Sequence, residues 1–146
     1  MRIIGNGVDI VENQRIKKAI IQKSFIKRIY SISEIRESKK IRNKTNFFAK
    51  RFAAKEAFVK ALGTGFSNGI NFNDISVKNK NSGKPELHIK DKIKKIIKRK
   101  FKLKKFKIFL SLSDEKKYSI AFVIINKTYC LRKNFLLKTS KHSFML

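Results

Sequence analysis

The segment from residue 47 to residue 65 constrains the fold most, because it predicts one long helix with a defined end. Thr45 or Asn46 is a suitable N-cap, and Gly63 follows Leu62 as the stop signal. Residues spaced by four share one ridge of a helix. The ridge in this segment consists of Phe48, Phe52, Glu56 and Lys60. It carries apolar packing at one end and charge at the other.

Residues 3–11 predict a strand that sets an acid among glycines. Alternation places one set of residues on the same side of this strand: Gly5, Gly7, Asp9 and Val11. A second set, Ile4, Val8 and Ile10, falls on the opposite side. The two glycines leave space for another group to approach the strand backbone next to the carboxylate.

The remaining chain predicts shorter elements. Residues 13–30 have the pattern of a basic amphipathic helix with a break near Ser24, and a short helical segment begins at Ser33. Residues 70–78 and 86–89 predict strands, residues 91–105 a helix, and residues 106–113 and 118–125 a hairpin. The last strand is apolar on both faces, so we expect it to be buried on both sides. Residues 1–126 are predicted to form one domain, and residues 127–146 a C-terminal extension without an assigned role.

The positive charge of the chain suggests a second possible class of function, nucleic-acid binding. Lysine and arginine number 37 against 10 acids, which gives a formal net charge of +27. A basic nucleic-acid-binding protein is therefore the competing hypothesis, although no RNA-stacking motif or recognition helix accompanies the charge. The abundance of Lys, Ile, Asn and Phe also fits AT-rich coding DNA, in which case most lysines are solvated surface that attracts anions collectively.

Cysteine content and hydropathy indicate a compartment. Cys130 is the single cysteine, which excludes an internal disulfide and fits a reducing environment. No apolar stretch is long enough for a signal peptide or for the roughly 20 residues that span a bilayer. We therefore expect a cytoplasmic protein that does not enter a membrane.

Asp9 and Glu56 are acids in apolar surroundings within a basic chain. An acid in such a place needs a compensating charge. Magnesium prefers one or two carboxylates together with water and phosphate oxygens, and Lys60 lies one helical turn from Glu56. The alternative is an ordinary helical Glu56–Lys60 pair, worth about 0.3–0.5 kcal/mol. Spacing alone does not decide between these readings.

Several motifs, in order and separation, resemble one family. They are Gly7-Val8-Asp9-Ile10, Arg15-Ile16, Arg51-Phe52-Ala53-Ala54-Lys55-Glu56-Ala57, Lys60-Ala61 and Gly63-Thr64-Gly65. This pattern strongly resembles the holo-acyl-carrier-protein synthases, the small phosphopantetheinyl transferases of bacterial fatty acid synthesis. The resemblance continues through Ser82-Gly83-Lys84-Pro85 and the closing hairpin to about Asn126.

The resemblance implies transfer of the phosphopantetheine arm of coenzyme A to a serine of acyl carrier protein, with adenosine 3',5'-bisphosphate as the leaving product. Asp9 and Glu56 match the metal-binding acids of the family and would hold Mg²⁺ against the diphosphate of coenzyme A. Lys60 matches the lysine expected at the phosphates. Glu56 is also the expected acceptor of the serine proton, directly or through a metal-bound water, although other bases fit the family mechanism.

The resemblance also implies binding residues for coenzyme A and for the carrier. For coenzyme A these are Arg51, Lys55, Lys60, Gly63, Gly65, Gly83, Lys84 and Pro85. Arg15 falls at a family position that contacts the acidic carrier, and Lys18, Lys23 and Arg28 are expected to contribute. Many members have histidine where this chain has Asp114, so a histidine contact to a coenzyme A phosphate is in doubt here.

The fold implied by the resemblance is α+β, a small antiparallel sheet packed against one long helix and shorter helices. The family assembles as a homotrimer with each active site at a subunit interface. These features are expectations of the resemblance, as are the partners acyl carrier protein and coenzyme A and the absence of a specific nucleic acid.

Overall fold

The computed structural model describes residues 2–129 and shows an α+β fold with two antiparallel sheets. The elements run in the order β1 (Arg2–Glu12), α1 (Asn13–Ala19), α2 (Lys23–Ile29), α3 (Ile32–Ser38), α4 (Lys44–Leu62), a short 3-10 helix (Phe72–Asp74), β2 (Ile75–Asn79), β3 (Pro85–Ile89), α5 (Asp91–Lys100), β4 (Phe106–Asp114) and β5 (Tyr118–Lys127). None of these helices is both long enough and apolar enough to cross a membrane. Cys130 and nearly all of the predicted C-terminal extension lie outside the described residues.

Helix α4 is the long helix predicted from the sequence. Its N-cap is Asn43, two or three residues before the predicted cap, because the Asn43 side-chain oxygen accepts a hydrogen bond from the Asn46 amide at 3.1 Å. The helix ends at Gly63, whose φ of 64° closes the last turn in the left-handed conformation that glycine adopts without strain. Burial falls along the predicted ridge, from Phe48 in the core to the exposed Lys60.

The larger sheet has the order β1-β5-β4, and one of its faces packs against α4. Ala121, Val123 and Ile125 on this inner face of β5 are fully buried. The strand β1 passes so close to the helix that a methyl group on Gly5 or Gly7 would collide with the carbonyl oxygens of Ala61 and Ala57. The space that the glycines create in β1 is therefore filled by α4.

In the single chain the last strand is buried on one side only, whereas the sequence predicted burial on both sides, because the outer face of the larger sheet is exposed. Ile120 is 39% exposed and Phe122 41% exposed. The neighbouring strands add exposed apolar side chains on the same face: Val8, Ile10 and Phe109. These five residues form what we call the outer apolar face. No element of the described chain covers it.

Several element boundaries differ from the predicted ones for local reasons. The basic helix breaks at residues 20–22 rather than near Ser24, which leaves α1 and α2 as separate two-turn helices. β2 begins at Ile75 rather than at Ile70, because Asp74 closes a capped 3-10 turn in front of it. Helix α5 ends at Lys100, since Lys102 adopts a φ of 51°. The hairpin β2–β3 forms its own sheet, so the predicted single sheet is two sheets.

Candidate active site

The structure brings Asp9, Glu56 and Lys60 together where β1 crosses the C-terminal half of α4. The Lys60 ammonium donates to Asp9 Oδ1 at 2.7 Å and to the Val8 carbonyl oxygen at 3.2 Å. Glu56 lies one turn before Lys60 on the same ridge and is half-buried. The predicted alternative, an isolated surface pair of Glu56 with Lys60, is not what is seen, because the ammonium pairs with Asp9.

Electrostatics couple the two acids. Burial raises the pKa of Glu56 above its usual range, the negative charge of Asp9 raises it further, and Lys60 opposes both effects. The Asp9 side chain is only 13% exposed, whereas that of Lys60 is 53% exposed. Two partly desolvated carboxylates within electrostatic reach of each other favour a bound cation.

The donor set at this site fits magnesium. No group of three or more His, Cys, Asp or Glu side chains suited to a metal occurs among residues 2–129. A site with two carboxylates leaves most positions of an octahedral ion to water and phosphate oxygens, which is how Mg²⁺ is commonly held next to a phosphorylated substrate. A zinc site, by contrast, normally requires three or four protein ligands.

Gly63 and Gly65 follow Lys60 in the loop that ends α4. Gly63 is the C-cap, and Gly65 is exposed, with no atom close to the position that a methyl group would take. Hydrogen bonds within the loop hold its shape, among them one from the Ser67 hydroxyl to the Thr64 carbonyl at 2.6 Å. The loop therefore presents open main chain directly after the last turn of α4, which carries Lys60.

Arg51 lies on a different side of α4 from Glu56. Five residues at about 100° each separate the two side chains by about 140° around the helix axis. The Arg51 guanidinium covers the ring of Phe47 and pairs with Glu37 at 3.1 Å. Burial lowers its pKa, an effect that Glu37 opposes.

A cavity of about 250 Å³ opens beside this arginine, lined by Glu37, Ile41, Asn43, Asn46, Phe47, Lys50, Arg51, Asn79 and Asp114. Pro85 pairs with Asn79 in the β2–β3 hairpin, so the turn that carries Gly83 and Lys84 lies beside the same cavity. Gly83 has a φ of 81°, and both it and Lys84 are exposed. The residues predicted to bind coenzyme A thus fall into two groups within one chain, one around Lys60 and one around Arg51.

Asp114 is also part of this cavity. Its carboxylate pairs with the Lys50 ammonium at 2.8 Å and accepts a hydrogen bond from the side-chain amide nitrogen Nδ2 of Asn46 at 2.9 Å. Burial by itself would raise the pKa of Asp114, but the bonds from Lys50 and Asn46 hold it below the usual range. Asp114 is therefore an acceptor that compensates Lys50.

Lys55 does not lie where a cofactor could reach it, which contradicts the prediction for this residue. Its side chain is fully buried, and the ammonium bonds to Glu34 at 2.8 Å and to the Ile29 carbonyl oxygen at 2.7 Å. Lys55 is rotated by about 100° from Glu56 on the helix and so points into the core. Burial lowers its pKa, which Glu34 opposes.

Glu34 is the residue of this group that sequence reasoning missed. It is fully buried and closes a capping box with Ser31 at the start of α3. The motif Ser-x-x-Glu, here Ser31-Ile32-Ser33-Glu34, is a sequence signal that could have identified it.

The predicted carrier-binding residues are divided between the two short helices. Arg15 and Lys18 lie on α1, and Lys23 and Arg28 on α2. All four are exposed, and among the described residues none of them forms an ion pair with an acid. They are available to an acidic surface.

Comparison with known proteins identifies the family. Residues 5–123 match the model of the 4'-phosphopantetheinyl transferase superfamily. The holo-[acyl-carrier-protein] synthase of Pelagibacter ubique is 59% identical over 127 residues, a match that covers 87% of this chain and 99% of the relative. The enzyme of the same name from Buchnera aphidicola is 45% identical, with 87% and 100% covered.

Solved structures agree with these matches. The holo-[acyl-carrier-protein] synthase of Neisseria meningitidis superposes with a TM-score of 0.77 at 35% identity, covering 86% of this chain and all of that chain. The synthase of Bacillus anthracis, in complex with CoA (3',5'-ADP), has a TM-score of 0.72 at 34% identity, covering 86% and 98%. This chain therefore belongs to the holo-acyl-carrier-protein synthase family of the 4'-phosphopantetheinyl transferase superfamily.

Proposed function

We propose that this protein transfers the phosphopantetheine arm of coenzyme A to a serine hydroxyl of acyl carrier protein and so converts the apo carrier to its holo form for fatty acid biosynthesis. The observation that carries the proposal is the junction of β1 and α4, where Asp9 and Lys60 lie 2.7 Å apart with Glu56 one turn away. The family match and the names of the relatives support the same reaction. The single cysteine fits action in the cytoplasm.

The residues have distinct roles in this reaction. Asp9 and Glu56 would hold Mg²⁺, which when bound neutralises charge on the diphosphate oxygens. Lys60, whose ammonium is half-exposed, contacts the same diphosphate and stabilises its negative charge. Gly63 and Gly65 have no side chain and so allow the anion to approach the main chain of the loop.

The chemical step is a substitution at phosphorus. The serine oxygen forms a bond to the phosphorus of the phosphopantetheine group, and the bond from that phosphorus to the oxygen of the adenosine bisphosphate breaks. Glu56, which lies at the junction with Asp9 and Lys60, accepts the serine proton. The electron pair of the broken bond leaves with the bisphosphate.

We propose a homotrimer in which each active site is shared between two subunits. The outer apolar face supports this, because five large apolar side chains of one sheet are between 39% and 59% exposed in the single chain. The division of the coenzyme A residues supports it as well. Arg51 and Asn79 line one cavity, and Asn79 pairs with Pro85 of the hairpin that carries Gly83 and Lys84. Asp9, Glu56 and Lys60 lie on another side of α4. One subunit would supply the first group and its neighbour the second.

The exposed cations of α1 and α2 form the proposed carrier-docking surface: Arg15, Lys18, Lys23 and Arg28. Acyl carrier protein is acidic, so complementary charge raises the rate of encounter and orients the carrier. Arg15 lies six residues after Asp9, at the start of the helix that follows β1 directly. A carrier on this surface is therefore held near the end of the strand that bears the acid.

The test is a modification assay read by mass spectrometry. The purified protein is mixed with coenzyme A, MgCl₂ and apo acyl carrier protein, and the carrier is expected to gain the mass of one phosphopantetheine group. Asp9→Asn and Glu56→Gln should each reduce the rate at least about 100-fold, since each removes a charged ligand. Lys94→Met, which removes an exposed lysine of α5, is the control and should retain the activity.

Two results would count against the proposal. Failure of the folded wild-type protein to modify a competent carrier would refute the transferase activity. Full activity of both Asp9→Asn and Glu56→Gln, or full activity in excess EDTA, would refute the metal assignment while leaving the transfer reaction in place.

A further inference from the structure

The buried pair of Glu34 and Lys55 takes no part in the chemistry proposed above. Both side chains have zero exposure, and their charged atoms lie 2.8 Å apart. Both oxygens of the Glu34 carboxylate accept hydrogen bonds. Oε2 accepts from the Lys55 ammonium and from the Ser31 main-chain amide, each at 2.8 Å, and Oε1 accepts from the Val77 main-chain amide at 2.9 Å. Such complete satisfaction gives the pair one geometry.

The pair joins four parts of the chain. Glu34 belongs to α3 and reaches β2 through Val77, whereas Lys55 belongs to α4. The Lys55 ammonium also donates at 2.7 Å to the carbonyl oxygen of Ile29, the last residue of α2. The C-terminus of α2 is thereby bonded to α4 at the residue that directly precedes Glu56.

We propose that Lys55 and Glu34 are positioning residues that hold the carrier-docking helix α2 at a fixed place relative to Glu56. This inference rests on the proposed function, in which α2 contributes Lys23 and Arg28 to the docking surface. A serine presented by a carrier on α2 reaches the site only if α2 and α4 keep their mutual position. If α2 shifts, Lys23 and Arg28 also move relative to Arg15 and Lys18 on α1, so the carrier loses part of its docking surface as well as its alignment with Glu56.

A double variant distinguishes a role of the pair in positioning α2 from a role in the stability of the fold. Replacing both members of a buried ion pair by apolar residues of similar volume is often neutral or stabilising, whereas removing one member leaves an uncompensated charge. The double variant Glu34→Leu/Lys55→Met therefore leaves no unpaired charge in the core, but it removes the bond to Ile29 together with the acceptor of the Ser31 and Val77 amides. It separates positioning of α2 from stability of the fold.

The experiment measures carrier binding and catalysis separately. The affinity for apo acyl carrier protein is obtained from fluorescence anisotropy of a labelled carrier, and steady-state kinetics give KM for carrier and for coenzyme A. In the folded double variant we expect KM and Kd for the carrier to rise at least tenfold, while KM for coenzyme A stays within twofold of the wild type. Lys94→Met is the matched control for the single variant Lys55→Met, because it removes one positive charge from an exposed site, and it should leave both carrier values unchanged.

Lys55→Met alone is expected to show the same rise in carrier KM together with a lower melting temperature. The proposal is overturned if the folded double variant binds the carrier with wild-type affinity, or if KM for coenzyme A rises as much as KM for the carrier. It is equally rejected if both variants unfold, since the pair would then be required for the fold itself. Failure of the proposed function is recognised differently, as absence of carrier modification by the wild-type protein.

Discussion

The contact between Gly7 and helix α4 gives a prediction whose size follows from the structure. A methyl group built on Gly7 would lie 2.0 Å from the carbonyl oxygen of Ala57 and 2.6 Å from the amide nitrogen of Ala61. Both atoms are main chain and cannot rotate away. Gly7→Ala therefore forces β1 and α4 apart by about 1 Å, the separation needed to bring the carbon beyond 3.0 Å.

This displacement acts on stability and on activity at once. Overpacking of this kind costs typically about 1–3 kcal/mol. For a chain of 146 residues that corresponds to a fall of roughly 3–12 °C in melting temperature. Asp9 lies two residues from Gly7, whereas Glu56 lies on the helix being pushed away, so the distance between the two carboxylates changes as well. We expect kcat/KM for carrier modification to fall about 100-fold.

Thermal unfolding followed by circular dichroism and the mass-spectrometric carrier assay measure the two effects on the same sample. Asn6→Ala is the matched control, because Asn6 is the exposed neighbour of Gly7 on β1. Exposed substitutions rarely change stability by more than about 0.5 kcal/mol. Wild-type melting temperature and activity in Gly7→Ala would refute the reasoning that strand and helix touch at this residue.

Three further outcomes are expected. Burial and Asp9 raise the pKa of Glu56, so the folded protein binds the Glu56 proton more tightly than the unfolded chain does. In magnesium-free buffer, the free energy of unfolding therefore falls as the pH rises through the pKa that Glu56 has in the folded state. In Glu56→Gln, the midpoint of urea unfolding should fall less between pH 4 and pH 8 than in the wild type. An equal fall in both proteins would contradict the raised pKa of Glu56. Phe122→Lys, in the middle of the outer apolar face, should convert the proposed trimer to monomers in light scattering, and an unaltered mass would argue for another interface. Arg15→Glu combined with Arg28→Glu should lower kcat/KM for the carrier at least tenfold and weaken its dependence on salt, with kcat at saturating carrier largely retained; a wild-type salt dependence would remove these residues from the docking surface.

The sequence was sufficient to predict the elements that build the site. The helix signals around α4 are local, since Gly63 ends the helix in the conformation that only glycine adopts freely. The period of two in β1 correctly placed Asp9 with Gly7 on the side that faces the helix. The prediction that Asp9 and Lys60 lie in one site rested on the family resemblance, because no local sequence rule brings together residues that are 51 positions apart.

Two predictions were wrong because they depend on tertiary packing. Lys55 was expected at the cofactor, but α4 is buried on nearly all sides, so periodicity cannot show which polar residues point to solvent. The last strand was expected to be buried on both sides, but its outer face is exposed in the single chain. Alternation of apolar residues predicts that a face of a strand is buried, but it does not show whether the same chain or a second copy covers that face.

The pairing of Lys60 with Asp9 has a consequence for the order in which substrates add. Two carboxylates and one ammonium leave this small region with a formal charge of −1, although the whole chain carries +27. The field of the molecule thus draws coenzyme A inward, while the immediate surroundings of Asp9 and Glu56 repel its diphosphate. Under the proposed function, a divalent ion held by Asp9 and Glu56 would reverse the local sign, so the affinity of this region for the nucleotide would depend on the metal.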